Sequence, residues 1–140
     1  MSISIRNQLS GTVTEITSGE AISAVKIRLA AGQEVVAAVT TEAVRELGIT
    51  NGAQVQILVK ATEVSLAVGE VSGLSIRNQI PGTITAIDQG GAIAIVKVAV
   101  EGGETITSAI TKAAVGDLGL AAGSAVTVLI KSTEISIAAP

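Results

Sequence analysis

Shifted by 71 positions, the 140-residue chain lies over itself without a single insertion. "SIRNQLSGTVTEITSGEAISAVKIRL", beginning at Ser4, covers "SIRNQIPGTITAIDQGGAIAIVKVAV", beginning at Ser75. Further on, "AVTTEAVRELGITNGAQVQILVKATEVSLA" covers "AITKAAVGDLGLAAGSAVTVLIKSTEISIA". Most differences are swaps such as Val for Ile. Two copies are too few for a solenoid, which needs three or more repeats to bury a continuous core. Two similar domains are the simpler reading: residues 1–68, a short linker at 69–73, and residues 74–140. The only spacer outside the repeat lies near "VGEVSG", Val68 to Gly73. A linker this short keeps the domains in touch and permits them to exchange strands.

Domains of about 70 residues are marginal alone and usually need disulfides, metals or oligomerisation. The chain has no cysteine, so disulfides and thiolate metal sites are excluded. It has no histidine either, which removes the commonest transition-metal ligand and the usual general base. Oligomerisation is the reinforcement left. A hydrophobic content of 48%, carried by Val, Ile, Leu and Ala, excludes a disordered chain. The aromatic count is zero and the net charge is −3. A nucleic-acid binder would want stacking platforms and a basic face, and neither is present. No stretch approaches the roughly 20 apolar residues of a membrane span, and the N-terminus lacks a signal-peptide core. A soluble intracellular protein is expected.

Each repeat reads mainly as strands. "AVKIRLA", "EVVAAVT", "AQVQILVK" and "TEVSLA" alternate with period two. "SIRNQLSGTVTEI" reads as a strand that turns or bulges near Gly11. "TTEAVRELGIT" reads as a short helix capped by Thr40 or Thr41, with Glu42 at the positive end of the dipole and Gly48 at C′. Ala43, Val44 and Leu47 make its buried stripe. The expected fold is all-β: two tandem OB-fold-like five-stranded barrels, each with one short helix.

The polar residues present in both copies are few: Ser4/Ser75, Arg6/Arg77, Asn7/Asn78, Gln8/Gln79, Lys26/Lys97, Lys60/Lys131, Thr62/Thr133 and Glu63/Glu134. Catalytic constellations are missing: there is no Walker loop and no GxSxG elbow. Only the Glu63/Glu134 carboxylate recurs, and alternation in "KATEVSL" reads it as a solvated strand residue. No EF-hand loop or His/Cys cluster offers a bare-cation site. A non-enzymatic protein is expected. Anion binding fares better, because a tetrahedral dianion wants converging donors and one or two positive charges. "SIRN" supplies a hydroxyl, an Arg fork and backbone N–H groups within four residues. Ser4 and Arg6, two apart, share a face if extended. Lys60 and Lys131 add a point charge at the end of another strand. Such a donor-only set favours a fully deprotonated oxyanion over one carrying an O–H. The bland alternative is that Arg6 and Arg77 pair with surface carboxylates while Asn7 and Asn78 shape a turn.

These segments, "SIRNQLSGTV", "VKIRL", "AVTTEAVRELGI" and "VQILVKATEVSLA", resemble the Mop domain of the molbindins, and the tandem layout resembles the two-domain members. The resemblance covers essentially the whole chain, twice. It implies OB-fold barrels that bind molybdate, and often tungstate, as the intact oxyanion, for cytoplasmic molybdenum storage and homeostasis. It also implies a homotrimer holding six such domains, with sites built between domains and subunits. Carried over by motif, the contacts are Ser4, Arg6, Asn7, Lys60 and Ala61 in the first copy. In the second they are Ser75, Ile76, Arg77, Asn78, Lys131 and Ser132. Ala61 has only a backbone N–H to offer where Ser132 adds a hydroxyl, so equal affinity is not expected. A second class of oxyanion site near a three-fold axis is a further implication. Thr40 and Thr111 are its candidates, and helix capping is their alternative role. An oligomeric structural or adaptor protein with only generic anion binding is the competing reading.

Overall fold

The computed structural model describes residues 2–140. The first repeat forms β1 (Asn7–Thr17), β2 (Ile22–Leu29), β3 (Glu34–Thr40), α1 (Thr41–Glu46), β4 (Gln54–Val59), a 3₁₀ turn (Ala61–Glu63) and β5 (Ser65–Ala67). The second forms β6 (Asn78–Gln89), β7 (Ile93–Val100), β8 (Thr105–Thr111), α2 (Lys112–Leu118), β9 (Ala125–Ile130), a 3₁₀ turn (Ser132–Glu134) and β10 (Ser136–Ala138).

Period-two alternation builds the strands as expected. Along β2, Ser23, Val25, Ile27 and Leu29 point into the core while Lys26 and Arg28 stay outside. All pairings are antiparallel, and the two five-stranded sheets curl so that β10 comes against β3 and β5 against β8. One continuous apolar cluster runs through both, from Val13, Val25 and Ile57 to Ile84, Val98 and Val128.

The fifth strands are exchanged. The first sheet has the order β10-β4-β1-β2-β3 and the second β5-β9-β6-β7-β8. Each repeat thus completes the other's barrel, as the short linker permitted. Val64 and Ile135, just ahead of β5 and β10, are both buried. Ser108 of β8 donates to the Val64 carbonyl at 2.7 Å, stitching the first repeat's tail into the second barrel. Burying each such side chain contributes about 1.5–3 kcal/mol. At the opposite side, Gln33 Nε2 donates to the Glu101 carbonyl at 2.8 Å.

Four local expectations need correcting. The bulge in β1 lies between Val13 and Glu15, not at Gly11, and β6 repeats it between Ile84 and Ala86. There the long strand leaves β4 and bends around the barrel with β2. Gly11 is instead a point of close approach, since a Cβ there would sit 2.5 Å from Ile27 Cγ2. Residues 2–6 precede β1, so Ser4 and Arg6 are not on a strand. The run at 60–64 is a 3₁₀ turn rather than a strand, and Glu63 is half-buried within it. Finally, α1 buries Val44 and Thr41, while Leu47 is 43% exposed because the helix ends before its second turn can press that position inward.

Candidate functional site

The repeated pentapeptide divides its labour. Gln8 Nε2 donates to the Ile5 carbonyl at 3.0 Å, and Gln79 Nε2 donates to the Ile76 carbonyl at 2.9 Å. Each Gln braces the loop ahead of it. Each Asn does something further away. Asn7 is 2% exposed, donates through Nδ2 to the Thr107 carbonyl at 2.8 Å and accepts from the Thr107 N–H at 2.7 Å. Asn78 makes the same pair of bonds with Val36, at 2.9 and 2.7 Å. β3 and β8 each have a strand partner on one side only, and these amides satisfy one residue of the free edge in place of a missing strand. The bonds also cross from one repeat to the other. Neither Asn shapes a turn.

With Asn and Gln committed to structure, Ser and Arg are left facing solvent. Ser4, Arg6, Ser75 and Arg77 are all exposed. Among the described residues neither arginine has a carboxylate within salt-bridge distance; the ion pairs present are those of Lys26 with Glu15 and Glu34. Arg6 makes only a long contact, 3.5 Å, from Nη2 to the Ile3 carbonyl. Surface pairing therefore does not explain the arginines.

Register brings the lysines in. Asn7 lies opposite Val59 in the β1–β4 ladder, so Arg6 and Lys60 leave the same end of that pair. Asn78 opposite Ile130 does the same for Arg77 and Lys131. Lys60 and Lys131 then open the 3₁₀ turns, their carbonyls accepting from Glu63 N at 2.9 Å and Glu134 N at 3.0 Å. Their ammonium groups are not used as caps. In the second copy, Ser75, Ile76, Lys131, Ser132 and Thr133 line one hollow of about 230 Å³. It contains a lysine, three hydroxyls and no carboxylate. In the first copy, Lys60 lines a smaller hollow of about 160 Å³ with Ile5, Leu58, Glu63, Thr133, Glu134 and Ser136. Its two carboxylates make that hollow a poor seat for a dianion. Ser4, Arg6, Asn7 and Ala61 do not line it, nor do Arg77 and Asn78 line the larger one.

Thr40 and Thr111 lie elsewhere. Each accepts a 3.1 Å hydrogen bond from the backbone N–H three residues on, capping α1 and α2. Thr40 also borders an apolar groove of about 480 Å³ with Ile22, Leu47 and Ile135.

Sequence reasoning missed the bracing role of Gln8 and Gln79, and the gripping of Thr107 and Val36 by the asparagines. The glutamines stood in the shared polar inventory, but only the fold shows what they hold. Among the described residues no group of three or more His, Cys, Asp or Glu is placed to hold a metal ion, and no helix is long and apolar enough to cross a membrane.

Paired OB-like barrels that exchange their fifth strands define a tandem β-barrel module. Residues 3–66 and 74–137 each match the TOBE domain, and the chain belongs to that family, as a tandem member in which the resemblance to Mop domains is borne out. Over all of both chains it is 38% identical to a crystal structure of the cytoplasmic molybdate-binding protein ModG with molybdate bound, at a TM-score of 0.97. It is 33% identical over 140 residues to the molybdenum transport protein ModE of Herbaspirillum seropedicae, covering 99% of this chain and 52% of that one. The chain thus spans about half the length of the longer relatives it matches. Molybdenum-pterin-binding protein 2 of Clostridium pasteurianum is 36% identical over 66 residues, 47% of this chain and 97% of that one.

Proposed function

We propose that the chain binds molybdate as the intact oxyanion, with tungstate as an alternative ligand, and serves intracellular molybdenum storage and homeostasis without catalysis. The single observation that carries the reading is the carboxylate-free hollow of Ser75, Ile76, Lys131, Ser132 and Thr133. Arg77 leaves the same strand end as Lys131 and has no carboxylate partner among the described residues. A lysine, an arginine and hydroxyls with no acceptor that must stay deprotonated suit a tetrahedral dianion. The full-length likeness to ModG, crystallised with molybdate, supports the identity of the ion and a cytoplasmic location. The proposed contacts are Ser4, Arg6, Asn7, Lys60 and Ala61, and Ser75, Ile76, Arg77, Asn78, Lys131 and Ser132. Asn7 and Asn78 act chiefly by fixing their loops, because their amides grip Thr107 and Val36. A homotrimer would bring further walls to both sites, and Thr40 and Thr111 are secondary candidates there. The repeats divide at the linker 69–73 along the chain, although their barrels share strands.

Equilibrium dialysis against molybdate, with sulfate and phosphate as competitors, tests the proposal. Saturation above one ion per chain that resists both competitors is expected. Arg6→Ala and Arg77→Ala should each weaken binding without unfolding the chain. Equal displacement by sulfate, or an unaltered double variant, would leave a structural or adaptor protein with generic anion binding.

A further inference from the structure

The two junctions are near copies in backbone but not in charge, and Lys26 and Lys97 mark the difference. These lysines occupy matching positions on β2 and β7. Lys26 sits opposite Val36, the residue gripped by Asn78, and Lys97 sits opposite Thr107, the residue gripped by Asn7. Lys97 Nζ donates to Thr107 Oγ1 at 3.1 Å. From Asn7 to Thr107 to that ammonium is a chain of direct contacts, and charges act over ~10 Å at 0.1 M salt. Among the described residues no carboxylate reaches Lys97. Lys26 has no hydroxyl to turn toward, since its cross-strand neighbour is a valine. It lies instead 3.8 Å from Glu15 and 4.0 Å from Glu34. The second copy replaces those carboxylates with Ala86 and Thr105. Arg28, opposite Glu34, makes the Asn78 junction's outer face neutral, whereas Ala99 replaces it beside Lys97. Arg6/Arg77 and Lys60/Lys131 are common to both, while Glu63 and Glu134 both line the Lys60 hollow and weigh against an anion there.

The hydroxyls are traded as well. Asn78 Nδ2 bonds both the Val36 carbonyl, at 2.9 Å, and Ser132 Oγ, at 3.4 Å, placing Ser132 beside the gripped residue. The matching residue in the first repeat, Ala61, has no hydroxyl. The 3₁₀ turn that it opens lies against β8, which carries Thr107. Beyond the hydroxyls common to both copies, each junction therefore has one of its own, supplied from opposite walls: Ser132 from the turn at one, Thr107 from the strand at the other.

We propose that Lys97, held by Thr107, is an additional cationic determinant of the oxyanion site at the Asn7 junction. The two sites of one chain are thereby inequivalent. At the Asn7 site Lys97 offsets the Glu63 and Glu134 carboxylates. A tetrahedral dianion depends there on an ammonium whose counterpart, Lys26, is neutralised by Glu15 and Glu34. This rests on the oxyanion-binding reading above. The second repeat thus supplies a residue to the first repeat's site.

Calorimetric titration of the full chain with molybdate, at two salt concentrations, tests it. The wild type should show two classes of site, and Lys97→Met should weaken the class that Arg6→Ala also weakens. One charge facing a dianion through partly hydrated protein is worth about five- to tenfold in affinity, and the loss should shrink at high salt. Thr107→Val should reproduce part of it. The triple variant Glu15→Ala, Glu34→Thr, Val36→Thr should tighten the class that Arg77→Ala weakens. A wild type without binding would overturn the oxyanion reading itself. A wild type that binds, with both classes unmoved by Lys97→Met and by the triple variant, would overturn the role of Lys97 alone. Thermal melts show whether each variant is folded.

Discussion

Replacing Asn7 by alanine should reveal how firmly the two repeats are tied. The side chain is buried and makes two short bonds to the backbone of Thr107, itself only 7% exposed. Each such bond contributes about 1 kcal/mol net, and an orphaned buried backbone group costs about 1–3 kcal/mol. Water entering the vacated space recovers some of this. The expected loss is about 2–4 kcal/mol, and at this chain length roughly 3–4 °C of Tm is lost per kcal/mol. A fall of about 6–16 °C in a calorimetric melt follows. Asn7→Asp separates the bonds from mere volume. Its carboxylate can still accept from the Thr107 N–H but faces the Thr107 carbonyl with no proton to give. Burial and that carbonyl would raise the folded-state pKa above the unfolded value near 3.9. The variant's deficit should then be small below pH 4 and grow as pH rises past that value. A loss under about 0.5 kcal/mol in Asn7→Ala, or an Asp variant indifferent to pH, would refute the clamp.

Other outcomes follow from particular contacts. Val64→Ala and Ile135→Ala should each cost about 2–4 kcal/mol in urea unfolding, because each plugs the other repeat's barrel. Gly82→Ala should destabilise more than Gly11→Ala, by about 1–3 kcal/mol overall. A Cβ at Gly82 would meet the Ala99 carbonyl at 2.7 Å, whereas the matching Arg28 carbonyl would lie 3.1 Å from one at Gly11. Thr111→Ala should cost about 1 kcal/mol by uncapping α2, again read from urea midpoints. Glu15→Ala should cost less than about 1 kcal/mol and less still in high salt, since its ion pair with Lys26 is exposed.

Much of this architecture is visible in the residues. Ser23, Val25, Ile27 and Leu29 alternate because one face of β2 must be buried, and Thr40 stands where a helix needs an acceptor. The gapless repeat and its short linker allowed strand exchange, but nothing in "TEVSLA" says which barrel the strand joins. That choice depends on long-range packing, namely the pocket that receives Val64. The bulge hid for a similar reason. Thr14 and Thr85 are ordinary strand residues, and the bend there belongs to a strand passing from one partner to the next. At the site, Ser, Arg and Lys were legible as a donor set. Asn and Gln were not separable from them, because an amide contacting a ligand and one gripping a strand edge look alike in sequence. Thr107 is the clearest case: its partner lies 100 residues away.

The exchanged strands make each repeat the other's ligand. Were the halves separate molecules, completing both barrels would be a bimolecular event, and stability would fall on dilution. The linker at 69–73 makes that encounter intramolecular, at an effective concentration on the order of millimolar whatever the protein concentration. A chain in which neither barrel can close without the other has no half-folded resting state. Loss of β5 from one barrel releases the tail that carries Lys60 and Ala61, and loss of β10 releases Lys131 and Ser132. The proposed donor sets would thus be assembled or dispersed together, even at the lowest cellular concentration of the chain.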